Sequence, residues 1–477
     1  MREEVLSAAA RKNVFLSPEA LEMVLSNSHP IDFINTVLTK LSENSMFVTK
    51  KDVMDAIAGD TVIYAPQKTI KVQNSHKLDI SVVPGTDVTG DSTCEGKIED
   101  FANYFRNRYY TLRKIIEKRK DFGSAMPIEK AMRMDRETKI IGIIYEKKDT
   151  KNGHVILKVE DETTMCSVFI SKDSPLIGET FINDEVIGIA GKPTSNKELY
   201  IANEIYHPDV PSSNKWVPSD SSASVAFLSD VHIGSYTFLE NNWKKMIAWL
   251  KANSAEKEID YIVFPGDVVD GIGVFPGQEE ELTVDNIYDQ YSMLSEYLKD
   301  IPDHIQMVIH PGNHDAVRLA EPQPALPEIF RKSFDSNIMM VGNPITLNIE
   351  GRTVLSYHGK GIDDWIAGVR ELTYEDPLKV MKNMMIRRHL APMYGQRNAL
   401  APEKKDYLVI DRIPDIFVSG HVHGAGTMEY KGIRMINASS WQSQTEYQKM
   451  HNFNPDPGIM PIVGLGTGKT TMMNFMK

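Results

Sequence analysis

Cysteine is nearly absent: Cys94 and Cys166 are the only two in 477 residues. Their wide separation argues against a disulfide framework and gives no metal-ligand spacing. A zinc finger is therefore not expected, and a reducing cytoplasm is the expected setting. No apolar stretch approaches the roughly 20 residues that a membrane span needs. The opening Met-Arg-Glu-Glu-Val-Leu carries acids and no long apolar core, which predicts no signal peptide. Positive charge is also short, with 53 Lys and Arg against 65 Asp and Glu, a net charge of −12. A protein that grips nucleic acid unaided usually shows a basic balance. Any action on DNA or RNA would thus call for local basic loops or a partner. With 42% hydrophobic residues the chain can still bury cores, and its length predicts about three domains.

What is present is concentrated in the last 260 residues as five short polar clusters. They are Asp230-Val-His232, Gly266-Asp267-Val-Val-Asp270, Gly312-Asn313-His314-Asp315, Tyr357-His358-Gly359 and Gly420-His421-Val-His423. Each follows an apolar run that reads as a buried strand: 225–228, 261–264, 306–309, 353–355 and 416–418. These runs are expected to be strands of a central sheet, with the clusters on loops at their carboxyl ends, where open α/β sheets bind ligands. One such histidine would be an ordinary core residue, and one Gly-Asn-His-Asp an ordinary turn. Five in this arrangement are hard to obtain by chance.

Seven of these side chains are expected to hold two metal ions, which predicts a metal-dependent phosphoesterase. Cleaving a phosphodiester needs charge neutralised on both the attacking and the leaving oxygen, and two ions about 3.5–4 Å apart can do both. Asp267 is the candidate bridge. The expected sets are Asp230, His232, Asp267 and His423 on one ion, and Asp267, Asn313, His358 and His421 on the other. His314 is left over as a general acid, with Asp315 fixing its tautomer. Asp270 is expected to support its turn by hydrogen bonding. Mixed His, Asp and Asn donors favour manganese, with iron or zinc next and magnesium last.

The rest of the chain divides by texture. Residues 1–60 read as a small helical module, with helices near 16–25, 30–38 and 50–57, the first behind a Ser-Pro-Glu start signal. Residues 61–134 read as a linker or loose extension up to about 96, then an amphipathic helix. Its Phe101, Phe105, Tyr109, Leu112 and Ile116 share one face, leaving a basic face that is either solvated or a phosphate contact. Residues 135–212 carry five strand-like runs and an Asn152-Gly153 hairpin signal, as in a small barrel. Pro- and Ser-rich stretches around Trp216 lead into residues 213–477. Within that part a helix is expected over Met381–Met393. Lys360, Arg370, Arg387, Arg388 and Arg397 are either a solvated face or a DNA-backbone contact. Gly464-Leu-Gly-Thr-Gly-Lys-Thr-Thr invites a nucleotide-binding reading, but Val463 stands where a P-loop needs its first glycine. A terminal β-hairpin is the better expectation.

The ordered clusters resemble the calcineurin-like metallophosphoesterase superfamily, and no ligand position of that pattern is missing. Asp230-Val-His-Ile-Gly-Ser with Phe238, and Gly312-Asn-His-Asp-Ala-Val-Arg-Leu-Ala-Glu-Pro-Gln-Pro, are similar more narrowly to the small subunits of archaeal D-family DNA polymerases. The similarity covers most of residues 98–477. It implies a mixed α/β (α+β) fold: a phosphoesterase β-sandwich flanked by helices, preceded by an OB-fold barrel and a helical module. It implies a 3′–5′ exonuclease that trims mispaired or single-stranded primer ends beside a large polymerising subunit. A sliding clamp reached through the holoenzyme is a further contact it leaves open. The B-subunits of eukaryotic replicative polymerases look like relatives that have lost the ligands, which this chain keeps. The competing readings are a free-standing metallophosphatase and a non-catalytic scaffold.

Overall fold

The computed structural model describes residues 78–450 and 453–477, together with 5–6, 8–9, 12, 14–25, 30–40, 47–48, 50 and 53. The chain divides into two compact units, Met1–Ser75 and His76–Lys477. In the first, helices Pro18–Leu25 and Pro30–Lys40 accompany a two-stranded parallel pair, β1 (Phe15–Leu16) and β2 (Phe47–Val48). Ser17 Oγ accepts from the Ala20 backbone N–H at 3.2 Å, the capping bond that a Ser-Pro-Glu start offers. The helix expected at 50–57 lies largely outside the described residues.

The second unit opens with β3 (Ile80–Val82) and the helix Ile98–Glu117, followed by a closed five-stranded barrel. Its strands are β4 (Thr138–Asp149), β5 (Val155–Glu160), β6 (Met165–Ile170), β7 (Val186–Pro193) and β8 (Leu199–Tyr206), in the order β4-β5-β6-β8-β7. The remaining strands are β9 (Ser224–Phe227), β10 (Ile259–Pro265), β11 (Gln306–His310), β12 (Ile338–Met340), β13 (Ile345–Ile349) and β14 (Arg352–Tyr357). After them come β15 (Ile416–Ser419), β16 (Ala425–Tyr430), β17 (Ile433–Ala438), β18 (Ile459–Gly464) and β19 (Thr470–Asn474). They form two six-stranded sheets, ordered β12-β11-β10-β9-β18-β19 and β16-β17-β15-β14-β13-β3. All five expected strands are present. They do not share one central sheet, however: β9, β10 and β11 lie in the first and β14 and β15 in the second.

Side-chain alternation explains why there are two sheets. Val225, Phe227, Tyr261, Val263 and Val308 face Leu347, Val354, Ile416, Val418 and Ile436 in one shared core. Their neighbours Ile262 and Phe264 point the other way, onto Trp243, Met246, Leu250, Tyr291 and Leu294 of the covering helices. Leu355, Tyr357 and Phe417 similarly meet Trp365, Met381, Met384 and Met385. A strand with both faces buried reads as an unbroken apolar run, as these do.

Several expectations need correction. Residues 78–96 are not a loose linker: β3 is an edge strand on β13, and the Glu403 carboxylate accepts from the backbone N–H groups of Thr93 and Cys94 at 3.0 and 3.2 Å. Three residues of strand supply too little pattern to be read. The helix expected over Met381–Met393 runs instead over Pro377–Arg387, opened by the Asp376 side chain and Pro377 and closed by Arg388 at φ 53°. Arg387 and Arg388 are neither solvated nor free for DNA. Arg387 Nε lies 3.1 Å from Glu185, and Arg388 donates to the Ile410 carbonyl at 2.7 Å. The C-terminal Gly-rich stretch is the turn of the β18–β19 hairpin, as expected.

The basic face of the Ile98–Glu117 helix is in part internal. Arg108 is buried and pairs with Asp406 at 2.7 Å, and His389 and the Tyr104 hydroxyl reach the same carboxylate at 2.8 and 2.6 Å. Burial alone would raise the Asp406 carboxyl, but His389 and Arg108 hold it well below the usual carboxylate range. A depressed folded value contributes stability above the unfolded value near about 4. That contribution is lost as pH falls toward the folded value. Asp406→Asn should therefore lose about 3–5 kcal/mol at neutral pH, because Arg108 is left buried without its counter-charge. Urea titrations across pH 2–7 should also show a shallower acid limb for the variant than for the parent.

Candidate metal centre

The clusters meet where the carboxyl ends of β9, β10, β11, β14 and β15 approach one another, so the site lies across the two sheets. The 230–233 segment lies along 266–270 through backbone bonds: Asp230 N to Gly266 O, His232 N to Asp267 O, Ile233 N to Val268 O and Asp270 N to Ile233 O. Asp230, His232, Asp267, His421 and His423 all adopt positive φ, between 50° and 68°. Left-handed backbone at non-glycine residues costs energy and gathers at functional sites. Here it turns each side chain inward at the point where its strand ends.

Two separate groups result, and a third, His232 with Asp270 and His314, shares His232 with the first. Ligand atoms of Asp230, His232 and His423 lie within 4.8 Å of one another, as do those of Asp267, His358 and His421. His232 Nε2 is 3.2 Å from His423 Nε2, and Asp230 Oδ1 is 3.3 Å from the same atom. In the other group His358 Nε2 is 3.2 Å from Asp267 Oδ2 and 3.0 Å from Asn313 Oδ1. All seven residues named from the sequence are thus brought together.

The donor chemistry fits a cation. His358 donates Nδ1–H to the Pro265 carbonyl at 2.9 Å, so in its neutral form Nε2 is a bare lone pair. That lone pair faces a carboxylate and an amide oxygen, which is three acceptors and no proton. His232 repeats the pattern, giving Nδ1–H to Asp270 at 2.9 Å and turning Nε2 on His423. An ion reconciles such a set, and a second hydrogen bond on the far nitrogen is the usual support of a ligating histidine. Electrostatics point the same way. Burial would raise the Asp267 carboxyl, yet His358 and His314 hold it well below its ordinary range. Burial would lower His358, but Asp267 and Asp230 push it up to about 10. The pocket is built for positive charge.

His314 sits beside the first group, its ring centroid 4.7 Å from that of His232. Its expected partner is wrong. Asp315 accepts instead from the Gly312 N–H at 2.8 Å and the Tyr291 hydroxyl at 3.0 Å. His314 Nδ1 gives its proton to the Asp270 backbone carbonyl at 2.7 Å. Consecutive residues on a tight turn project apart, so adjacency in sequence did not become contact. Burial and the nearby Asp267 raise the Asp315 carboxyl to about 7. Asp270 behaves as expected, its carboxylate held by Gln278 at 2.9 Å and Gln442 at 3.1 Å.

Other residues escaped the sequence reading. Gln448 Nε2 lies 3.0 Å from His423 Nδ1, and Asp363 Oδ2 lies 3.2 Å from His421 Nε2. Neither has a local signature: Gln448 comes from the helix Glu446–Met450, and Asp363 from the helix Ile362–Gly368 that follows the His358 cluster. Two glycines make room: a Cβ on Gly312 would stand 2.2 Å from Asp267 Oδ1, and one on Gly266 2.7 Å from His358 Nδ1. Gly312→Ala should cost about 1–3 kcal/mol in a chemical denaturation series. Gly178→Ala, with no atom within 4 Å of the new methyl, should leave the midpoint nearly unchanged.

Residues 225–425, which contain all seven side chains, match the family of B-subunits of DNA polymerases alpha and epsilon. Proteins named DNA polymerase II small subunit align over much more of the chain. The one from Archaeoglobus fulgidus is 38% identical, covering 96% of this chain and 95% of its own. The one from Methanothermobacter thermautotrophicus is 35% identical, covering 98% of each. The one from Methanocaldococcus jannaschii is 41% identical over 81% of this chain and 67% of its own. The chain therefore belongs to the family of archaeal DNA polymerase II small subunits. Among solved structures, an archaeal phosphodiesterase overlaps 52% of this chain and 98% of its own at 11% identity. Its TM-score of 0.26 is too low to carry an argument.

Proposed function

We propose that the chain is the proofreading subunit of a heteromeric replicative DNA polymerase, a metal-dependent 3′–5′ exonuclease that hydrolyses DNA phosphodiester bonds. One observation carries this reading: seven buried or half-buried donors converge with their lone pairs facing one another. Asp230, His232, Asp267 and His423 would hold one divalent ion, and Asp267, Asn313, His358 and His421 the other. Manganese suits this donor set best, iron or zinc next and magnesium least. Two ions bound there would neutralise the charge that gathers on the attacking and leaving oxygens.

The chain's own residues supply the rest. Asp270 through its carboxylate and Pro265 through its carbonyl fix which nitrogen of His232 and His358 faces inward. The Asp270 carbonyl accepts from His314 Nδ1–H, so His314 would act from its imidazolium form, giving the Nε2 proton to the leaving oxygen and ending neutral. Asp315 shapes the Gly312–Asp315 turn that presents His314 and Asn313, which is a supporting role.

The word "small" in the relatives' names supports a large polymerising partner chain, and the net charge of −12 supports a need for one. Alone, the chain should bind DNA weakly and in a strongly salt-dependent way. We read the barrel as an OB-fold, from its order β4-β5-β6-β8-β7 and the parallel pairing of β6 with β8. Residues 1–60, 61–134, 135–212 and 213–477 remain the proposed divisions, except that β3 within 61–134 belongs to the second sheet, and the cytoplasm is the proposed setting. No helix among the described residues is long and apolar enough to cross a membrane.

The test uses the purified chain, manganese and a 5′-labelled DNA strand, single-stranded or with a mismatched 3′ end. Stepwise shortening from the 3′ end is expected, and a chelator should stop it. His314→Ala should slow it by roughly 10²–10⁴-fold, and Asp267→Ala should abolish it. Turnover of a small phosphoester alone would replace this reading with a free-standing phosphatase. Unchanged rates in both variants would leave a scaffold.

A further inference from the structure

We propose that Asp363 is a positioning residue for one of the two ion sites, holding His421 by Nε2 so that Nδ1 turns toward Asp267 and His358. This rests on the two-ion reading above and adds to it a residue that lies in none of the five clusters.

Asp363 lies in the first turn of the helix Ile362–Gly368, a position where a carboxylate is ordinarily solvated. Here it is 9% exposed. Burying a carboxylate is costly unless its oxygens are well partnered. Two donors take them, Lys360 Nζ at 2.8 Å on Oδ2 and the Tyr374 hydroxyl at 2.9 Å on Oδ1, and His421 Nε2 lies 3.2 Å from Oδ2 as an ion-pair partner. Lys360 and Tyr374 fix the carboxylate, and the third contact reaches into the site. With Nε2 facing that carboxylate, Nδ1 is the nitrogen of His421 left to join Asp267 and His358. The His358 and His421 ring centroids are 5.2 Å apart.

The other half of the site has the same construction. His232 gives Nδ1–H to Asp270, and Gln278 and Gln442 hold Asp270 in turn. On each side of Asp267, then, one histidine is backed by a buried carboxylate with two further donors. His421 needs such a hold more than most, since its backbone sits at φ 68° and its side chain is 13% exposed. Without Asp363 its ring would be free to turn and to place its proton on either nitrogen. A ligating histidine with no partner on its second nitrogen typically costs about 10–100-fold in metal affinity.

The experiment is a manganese titration of the metal-stripped full-length chain, with free ion followed by electron paramagnetic resonance. Each variant's melting temperature is recorded without metal. The parent should take up two ions. Asp363→Ala should keep one at parental affinity and bind the other about 10–100-fold more weakly. Asp363→Asn, which keeps an oxygen acceptor, should fall between them. Asp363→Ala added to His421→Ala should weaken that ion no further, since both act through one contact. Parental uptake of both ions by Asp363→Ala would overturn the proposal. So would loss of both ions together with a lowered melting temperature, which would make Asp363 a fold residue. A parent that takes up fewer than two ions would overturn the two-ion reading itself, and the role of Asp363 with it.

Discussion

Two carboxylates buried side by side set the terms for the rest of this structure. Asp230 is 0% and Asp267 1% exposed. Among the described residues, every ion partner of either one is a histidine. No arginine or lysine among the described residues forms an ion pair with them, although that is the ordinary way to bury an acid. Moving a carboxylate out of water costs several kcal/mol even after relaxation. Backbone N–H groups offset part of it, from His421 to Asp230 at 2.9 Å and from His314 to Asp267 at 2.8 Å. The remaining demand for positive charge falls on imidazoles, which can either take a proton or share a cation. A site satisfied by protons alone would keep His358 charged far above neutrality, as its raised value indicates. A divalent pair meets the same demand without that proton, which is why the two-ion reading is preferred.

Holding seven donors at one point requires backbone that would not otherwise be stable. Five of them adopt left-handed φ, each worth about 1–3 kcal/mol of strain. The structure tolerates this because every such turn is tied from several directions. The 230–233 segment is laced to 266–270, the Trp441 N–H closes on the Asp230 carbonyl at 2.9 Å, and the Gly420 N–H closes on His358 O at 2.8 Å. Beneath them the strands are fixed by a core packed from both faces. The two sheets converge on the site, so neither could hold the donors alone.

That division also explains what could be read from the sequence. The five strand ends were legible because each strand is short, buried on both sides and followed at once by its polar cluster. The seven donors followed from the strands. What stayed hidden depends on distance or direction. Asp363 and Gln448 arrive on helices with no pattern of their own. Asp315 was paired with His314 by adjacency, while the geometry gave His314 to a backbone carbonyl 44 residues away. Arg108, Arg387 and Arg388 looked like surface cations and proved to be internal staples, since charge in a sequence carries no information about its partner. The edge strand at 80–82 was invisible for another reason: its pairing with β13 is made across more than 260 residues.

Burial also changes the meaning of the charge balance, which from composition argued against unaided contact with DNA. Among the described residues eleven acids are buried, against four arginines and no lysine. Much of the −12 is therefore interior, and the surface lies closer to neutral than composition implies. Asp230, Asp267, Asp270, Asp315 and Asp363, five of those acids, surround the proposed ion pair. Ions bound there would offset the acids that face an arriving phosphate, within about one Debye length and in a poorly screened pocket. On the proposed reading, loading with metal thus does more than assist the chemistry. Two divalent ions would cancel most of the charge of those five acids and so lower the repulsion that an arriving DNA end meets. The grip along the rest of the strand would still have to come from the partner chain.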